Sequence, residues 1–271
     1  MDLIIKAIIL GIVEGITEFL PVSSTGHLIL FGHFLGFNEG SFKILFYVVI
    51  QLGAILAVVF YYRKRIWESL KNIRVGQWGF KLWLIILIAF IPSAMLGFLF
   101  NDYIDEYLFS PLTVSIALIV GAILMIIIEK KFANRDSEDI TDISKRKSLI
   151  IGFAQCMALI PGMSRSASTI MGGMIVGLSV KVAAEFSFFL AIPTMFAATG
   201  YSLLKGFAAM STTEWVALAV GFITSFIVAF IVIGKFLEFL TKNSLKVFAH
   251  YRLVVGFIML ILIAFEVVKL V

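Results

Sequence analysis

Glu14 and Glu18 stand four residues apart at the head of the run E-G-I-T-E-F-L-P-V-S-S-T-G-H, residues 14–27. On a helix that spacing puts both carboxylates on one face. Acids within so apolar a stretch must be protonated, paired or bound to a metal. A hard divalent cation, Mg2+ or Ca2+, is a natural partner, with Glu14 and Glu18 as its oxygen ligands. The plainer alternative is two protonated acids bonded to the backbone. After Pro21 come Ser23, Ser24, Thr25, Gly26 and His27. Small residues after a break open a half-helix whose free N–H groups attract an anion. His27 can serve as a base for a serine or as an acid toward a leaving group. His33 and His250 have less polar or terminal settings and are read as structural.

A second stretch answers the first. Residues 155–169 read Q-C-M-A-L-I-P-G-M-S-R-S-A-S-T. Pro161-Gly162 interrupts the apolar run, and a new half-helix is expected from Ser164. Arg165 lies between Ser164 and Ser166, and arginine suits bidentate recognition of phosphate. An arginine snorkelling to the interface is the alternative. About 16 apolar-rich residues precede it, enough for a helix to cross most of a ~30 Å hydrocarbon core. Acids, serines and a histidine from one stretch, with an arginine and hydroxyls from the other, suit an anhydride of phosphate. Ser23, Thr25, Ser164 and Ser166 then join Arg165 in binding it. The arginine neutralises phosphate charge, a metal bridges oxygens, and a serine or water attacks in line.

The rest of the chain must hold these stretches at membrane depth. Of its 271 residues, 61% are hydrophobic and 14% charged, far from the roughly 25% charged of a soluble domain. Six stretches read as spans: about 42–61, 82–100, 112–128, 182–204, 215–233 and 247–268. Residues 3–37 and 148–179 are each broken midway, the pattern of a re-entrant hairpin. The fold class expected is an all-α polytopic membrane protein with six transmembrane helices and two re-entrant hairpins meeting near the midplane. No secretory leader is expected. Cys156 is the only cysteine, which excludes an intrachain disulfide and a zinc–cysteine site. The net charge of +5 sits mostly in loops and reads as membrane orientation, not as nucleic-acid binding.

Lysine and arginine concentrate in the loops 62–81, 129–147 and 234–246, while 101–110 carries Asp102, Asp105 and Glu106. The positive-inside rule places the first three in the cytoplasm. The hairpin at 3–37 then enters from outside, the hairpin at 148–179 from inside, and both termini lie outside. Pro21 aligns with Pro161 at an offset of 140, which also sets Phe46 on Phe186. A-F-I-P-S (89–93) resembles G-F-I-T-S (221–225), and Gly121 aligns with Gly256. A single membrane domain, 1–271, is expected from two inverted repeats, about 1–130 and 147–271, with a cytoplasmic linker at 131–146. Inverted repeats place sites at their interface near the midplane, built from broken helices.

At these residues the chain resembles the undecaprenyl-pyrophosphate phosphatase family, also called the bacitracin-resistance proteins. E-G-I-T-E-F-L-P-V-S-S-T-G-H and P-G-M-S-R-S are its two diagnostic motifs. The resemblance implies a bacterial plasma-membrane enzyme that removes the terminal phosphate of undecaprenyl pyrophosphate, recycling the lipid carrier for peptidoglycan and opposing bacitracin. It implies a divalent cation and a pocket opening outward. The motif glutamates fall on Glu14 and Glu18, the serine on Ser24, the histidine on His27 and the arginine on Arg165. The nucleophile expected is Ser24, supported by His27 and Glu18; water or His27 is the rival.

Other classes share some of these features. A transporter, specifically a lipid-carrier flippase, also uses inverted repeats and broken helices. An intramembrane protease has no use for two buried glutamates and an arginine. The partners expected are undecaprenyl pyrophosphate and membrane lipid; the oligomeric state, a homodimer included, is left open.

Overall fold

The computed structural model describes residues 2–37, 40–108, 110–132, 139–205 and 210–268. Within them the helices are α1 Leu3–Thr17, α2 Ser24–Phe34, α3 Gly40–Tyr61, α4 Arg63–Lys71, α5 Trp78–Tyr103, α6 Pro111–Phe132, α7 Lys145–Gln155, α8 Arg165–Ile175, α9 Val180–Lys205, α10 Thr212–Lys242 and α11 Lys246–Ala264. Six of them, α3, α5, α6, α9, α10 and α11, are long and apolar enough to cross a bilayer. The chain is an all-α, multi-pass membrane protein. Each expected span falls within one of these helices, except that the last stops at Ala264 instead of 268. Two regions expected as loops are helical. The basic stretch after α3 forms α4, held by Trp83 Nε1 donating to Ser69 Oγ at 2.9 Å. The acidic stretch after α5 continues as a π-helical turn, Ile104–Leu108. Residues 133–138 of the expected linker lie outside the described residues.

Both broken regions are pairs of short helices that fold back on themselves. Lys6 Nζ, near the start of α1, donates to Gly36 O just past the end of α2 at 2.8 Å. In the second pair, a Cβ at Gly172 of α8 would meet Ala154 of α7 at 2.6 Å, so the two helices run in close contact.

With no water to drive burial between helices, membrane packing relies on small residues that let backbones approach. Gly11 of α1 faces α10, where an added Cβ would lie 2.7 Å from Gly221 O. Gly152 of α7 faces α5 in the same manner, 2.5 Å from Ala89 O. α3 packs on both α9 and α10, and α6 packs on α11. The aromatic core between them includes Phe19, Phe186, Phe188 and Phe189.

The three basic regions share one face. Arg65 of α4 pairs with Asp139 at 2.8 Å. Glu129, at the end of α6, accepts from Leu245 N at 2.8 Å and so caps α11 from a neighbouring helix. Leu245 offers no capping side chain of its own.

Candidate active site

The site begins with two helix breaks. Proline lacks the N–H that a continuing helix requires and crowds the residue before it. After α1, Glu18 still bonds Glu14 O at 2.9 Å, and the chain then turns, with Val22 N on Leu20 O at 2.8 Å. Ser23 has φ 71° and its hydroxyl accepts from Gly26 N, opening α2 at Ser24. The second break ends the same way. Ser164 has φ 72° and accepts from Ala167 N, opening α8 at Arg165. Positive φ in a residue with a Cβ is strained by about 1–3 kcal/mol and clusters at functional sites. Ser24 and Arg165 thus hold the same place, the first residue of a half-helix whose N-terminal end is positive.

They meet on one carboxylate. Ser24 Oγ donates to Glu18 Oε2 at 2.6 Å. Arg165 Nη2 donates to Glu18 Oε1 at 3.1 Å. The breaks also touch directly, because Ser166 Oγ donates to Leu20 O at 2.9 Å. Ser164 and Ser166 hydroxyls are 3.0 Å apart. Thr25 is half-buried at the second position of α2.

Ser187, on α9, went unremarked in the sequence, yet it orients the arginine. Arg165 Nη1 donates to Ser187 O at 3.0 Å and lies 3.3 Å from Ser187 Oγ. Thr169 Oγ1 in turn donates to Ser187 Oγ at 2.6 Å. Arg165 Nε is buried and without a protein partner, leaving a donor for a ligand oxygen.

His27 does not reach Ser24. Its Nδ1 lies 2.7 Å from Ser23 O, and its Nε2 lies 2.7 Å from Tyr251 Oη on α11. A carbonyl only accepts, so Nδ1 carries the proton, and in the neutral imidazole Nε2 accepts from the tyrosine. The two rings also stack, with centroids 5.5 Å apart. The carboxylate that the serine touches is that of Glu18. Tyr251 was missed because one tyrosine near the end of a span reads as an interfacial anchor.

Glu14 is fully buried, and neither carboxylate oxygen has a protein partner. Its charged neighbours are Glu18 and Arg165. An orphaned carboxylate beside a second acid fits a divalent cation, which prefers oxygen ligands. Among the described residues no three or more His, Cys, Asp or Glu side chains converge. Glu14 and Glu18 would therefore need phosphate or water oxygens to complete a shell of about six. The polar side chains close on one another, with Ser24 only 7% exposed.

Comparison with known proteins gives a consistent match. The family described as "Bacitracin resistance protein BacA" matches residues 7–258. The undecaprenyl-diphosphatase of Thermoanaerobacter sp. (strain X514) is 66% identical over 99% of this chain and 100% of its own length. That of Caldanaerobacter subterraneus subsp. tengcongensis is 61% identical, covering 99% of each. That of Clostridium tetani is 53% identical over the full length of both chains.

Proposed function

Because the chain belongs to the BacA family of bacitracin resistance proteins, we propose that it hydrolyses undecaprenyl pyrophosphate to undecaprenyl phosphate and inorganic phosphate. One observation carries the assignment of residues: Ser24 and Arg165, 141 positions apart, are bonded to the two oxygens of one buried carboxylate. Ser24 is the nucleophile. Its Oγ attacks the terminal phosphorus while Glu18 Oε2, already 2.6 Å away, takes the hydroxyl proton. The bond from the bridging oxygen to that phosphorus breaks, and Glu18 gives the proton to undecaprenyl phosphate as it leaves. Water then attacks the phosphoserine; Glu18, ionised again, removes its proton and returns it to Ser24 Oγ as inorganic phosphate is freed.

Arg165 neutralises the equatorial oxygens of the phosphoryl group in flight. A phosphate between the two breaks would exchange the Arg165–Glu18 contact for Arg165–phosphate bonds, and Nε is free to join them. Ser23, Thr25, Ser164 and Ser166 border the same space at the positive ends of α2 and α8. His27, held by Ser23 and Tyr251, fixes the first break. Glu14 and Glu18 would hold Mg2+ or Ca2+. Bound there, the cation would offset the pyrophosphate charge and polarise its oxygens.

The basic face formed by α4, the start of α7 and the α10–α11 turn is cytoplasmic by the positive-inside rule. The α1–α2 pair then enters a bacterial plasma membrane as a re-entrant hairpin from the outer side. The headgroup is taken from the outer leaflet while its tail remains in lipid.

Phosphate release from undecaprenyl pyrophosphate by the purified full-length protein tests this. Release should stop in chelator and return with Mg2+ or Ca2+. Folded protein that frees no phosphate would refute the hydrolase, and full activity in chelator would remove the cation.

A further inference from the structure

One buried cation has no part in that chemistry. Arg252, on α11, is fully buried. A guanidinium has five N–H donors, and each of these meets a backbone carbonyl. Nε donates to Leu118 O at 3.2 Å, Nη1 to Pro21 O at 3.3 Å and Met163 O at 3.0 Å, and Nη2 to Ala117 O at 3.1 Å and Gly162 O at 3.0 Å. Two of these carbonyls belong to α6. The other three lie in the two breaks. Broken backbone at membrane depth leaves carbonyls that neither water nor a following amide serves, and such groups must find a partner inside the protein.

The placement is close to the chemistry. Pro21 stands three residues before Ser24, and Met163 two before Arg165. The neighbouring Tyr251 holds His27. The fold also makes room for the guanidinium, since a methyl group added at Gly121 of α6 would collide with it. Gly162, at φ +100°, lets the second break lie against Val114 of α6.

We propose that Arg252 is a positioning residue of the hydrolytic reaction. It ties the two breaks to each other and to α6, and so sets the separation of Ser24 and Arg165 across the phosphate. This rests on the reaction assigned above. Lysine would keep the charge, but its three donors on one nitrogen cannot reach five carbonyls spread around a plane. Net charge alone therefore does not account for the arginine.

The test uses purified full-length protein with Arg252→Lys and, separately, Gly121→Ala, which keeps the arginine and displaces its head. Binding of a methylene-bridged prenyl bisphosphonate, which cannot be hydrolysed, counts the molecules with a competent site. Phosphate release is then expressed per competent molecule. Misplacing reacting groups by about 1 Å lowers turnover about 100-fold, and that is the loss expected per competent Arg252→Lys molecule. The Gly121→Ala loss should be about tenfold, with analogue affinity within about threefold of the parent in both. A merely structural arginine would reduce the number of competent molecules and leave turnover per competent molecule at the parental value. That result in either variant overturns the proposal, and Gly121→Ala decides if the lysine variant does not fold. A parent that binds the analogue but frees no phosphate would instead refute the reaction itself.

Discussion

The two helix breaks share a backbone and divide the chemistry. Each ends on a serine at φ near +70° that caps the following half-helix. Each is preceded by a short helix bearing a glycine against a long neighbour, Gly11 on α10 and Gly152 on α5. Gly11 and Gly152, Glu14 and Gln155, Ser23 and Ser164, and Ser24 and Arg165 all correspond at one offset of 141. The side chains differ where it matters. The first break carries Glu14, Ser24 and His27. The second has a neutral glutamine opposite Glu14 and a guanidinium opposite Ser24. Gln155 Nε2 donates to Ser93 Oγ and Thr194 Oγ1, leaving only its Oε1 without a protein partner, whereas neither oxygen of Glu14 has one. In the reaction proposed above, one break supplies the nucleophile and its acids and the other the guanidinium for phosphate, so the transfer needs both.

The hardest test of that division is its nucleophile. Ser24→Ala should lower turnover at least about 10³-fold while the pyrophosphate analogue still binds, because the alanine leaves no oxygen to form the phosphoserine. A stopped reaction in the parent should show one phosphate on Ser24 by mass spectrometry. Turnover within tenfold of the parent in Ser24→Ala would move the nucleophile to water.

The counterpart on the other break comes next. Arg165→Lys keeps the charge but loses the fork that stays on Ser187 through Nη1 while Nη2 and Nε turn to the phosphate, and should lose about 10²–10³-fold in kcat/KM. Near-parental kcat/KM in a folded lysine variant would take Arg165 out of phosphate binding.

The acids then separate from one another. Glu18→Gln removes the base on Ser24 and the partner of Arg165, and should cost about 10²-fold or more in kcat. Glu14→Gln makes the first break resemble the second, which carries Gln155. Its loss should be smaller and should appear mainly as a higher Mg2+ or Ca2+ requirement. A titration with the cation distinguishes them. Equal losses at saturating cation would place both acids in the same role.

How much of this the sequence disclosed follows from where polarity stood out. Glu14, Glu18, Ser24, His27 and Arg165 were legible because each interrupts an apolar run around a proline. Proline alone was not the signal, since Pro92 and Pro193 lie inside continuous helices α5 and α9. The hydroxyl clusters that follow Pro21 and Pro161, able to cap a new helix, make the difference. Anchoring the two stretches on their prolines gives an offset of 140. Pro161 stands six residues after Gln155 and Pro21 seven after Glu14, so the turns divide unevenly and the capping serines correspond at 141. Ser187, Tyr251 and Arg252 were hidden. Ser187 meets Thr169 and Arg165, 18 and 22 positions away on another helix, Tyr251 meets His27, 224 away, and Arg252 meets carbonyls 89 to 231 away; partners on other elements leave no local pattern. Arg252 lies six residues inside α11, where it reads as an interfacial charge. Its signal was the cost of a guanidinium within a helix that is otherwise apolar past that point.

The smallest expected effect concerns the two caps, and it tests whether the breaks are equivalent as backbone. Ser23 accepts from Gly26 N at 3.4 Å, a long bond. Ser164 accepts from Ala167 N at 3.2 Å and also contacts Ser166 Oγ at 3.0 Å, which itself reaches across to Leu20 O. Alanine at either position keeps the positive φ and loses the cap, which costs about 0.5–2 kcal/mol. Ser164→Ala should be the more destabilising, because it also frees a hydroxyl that bridges the breaks. Glycine behaves differently. It loses the cap but is at ease at positive φ, where a residue with a Cβ is strained by roughly 1–2 kcal/mol. Ser23→Gly should therefore leave thermal unfolding in detergent near the parent value or raise it, while Ser164→Gly should lower it slightly. If both glycine variants shift unfolding equally, the hydroxyl bridge at Ser164 adds nothing, and the two breaks differ only in the chemistry they carry.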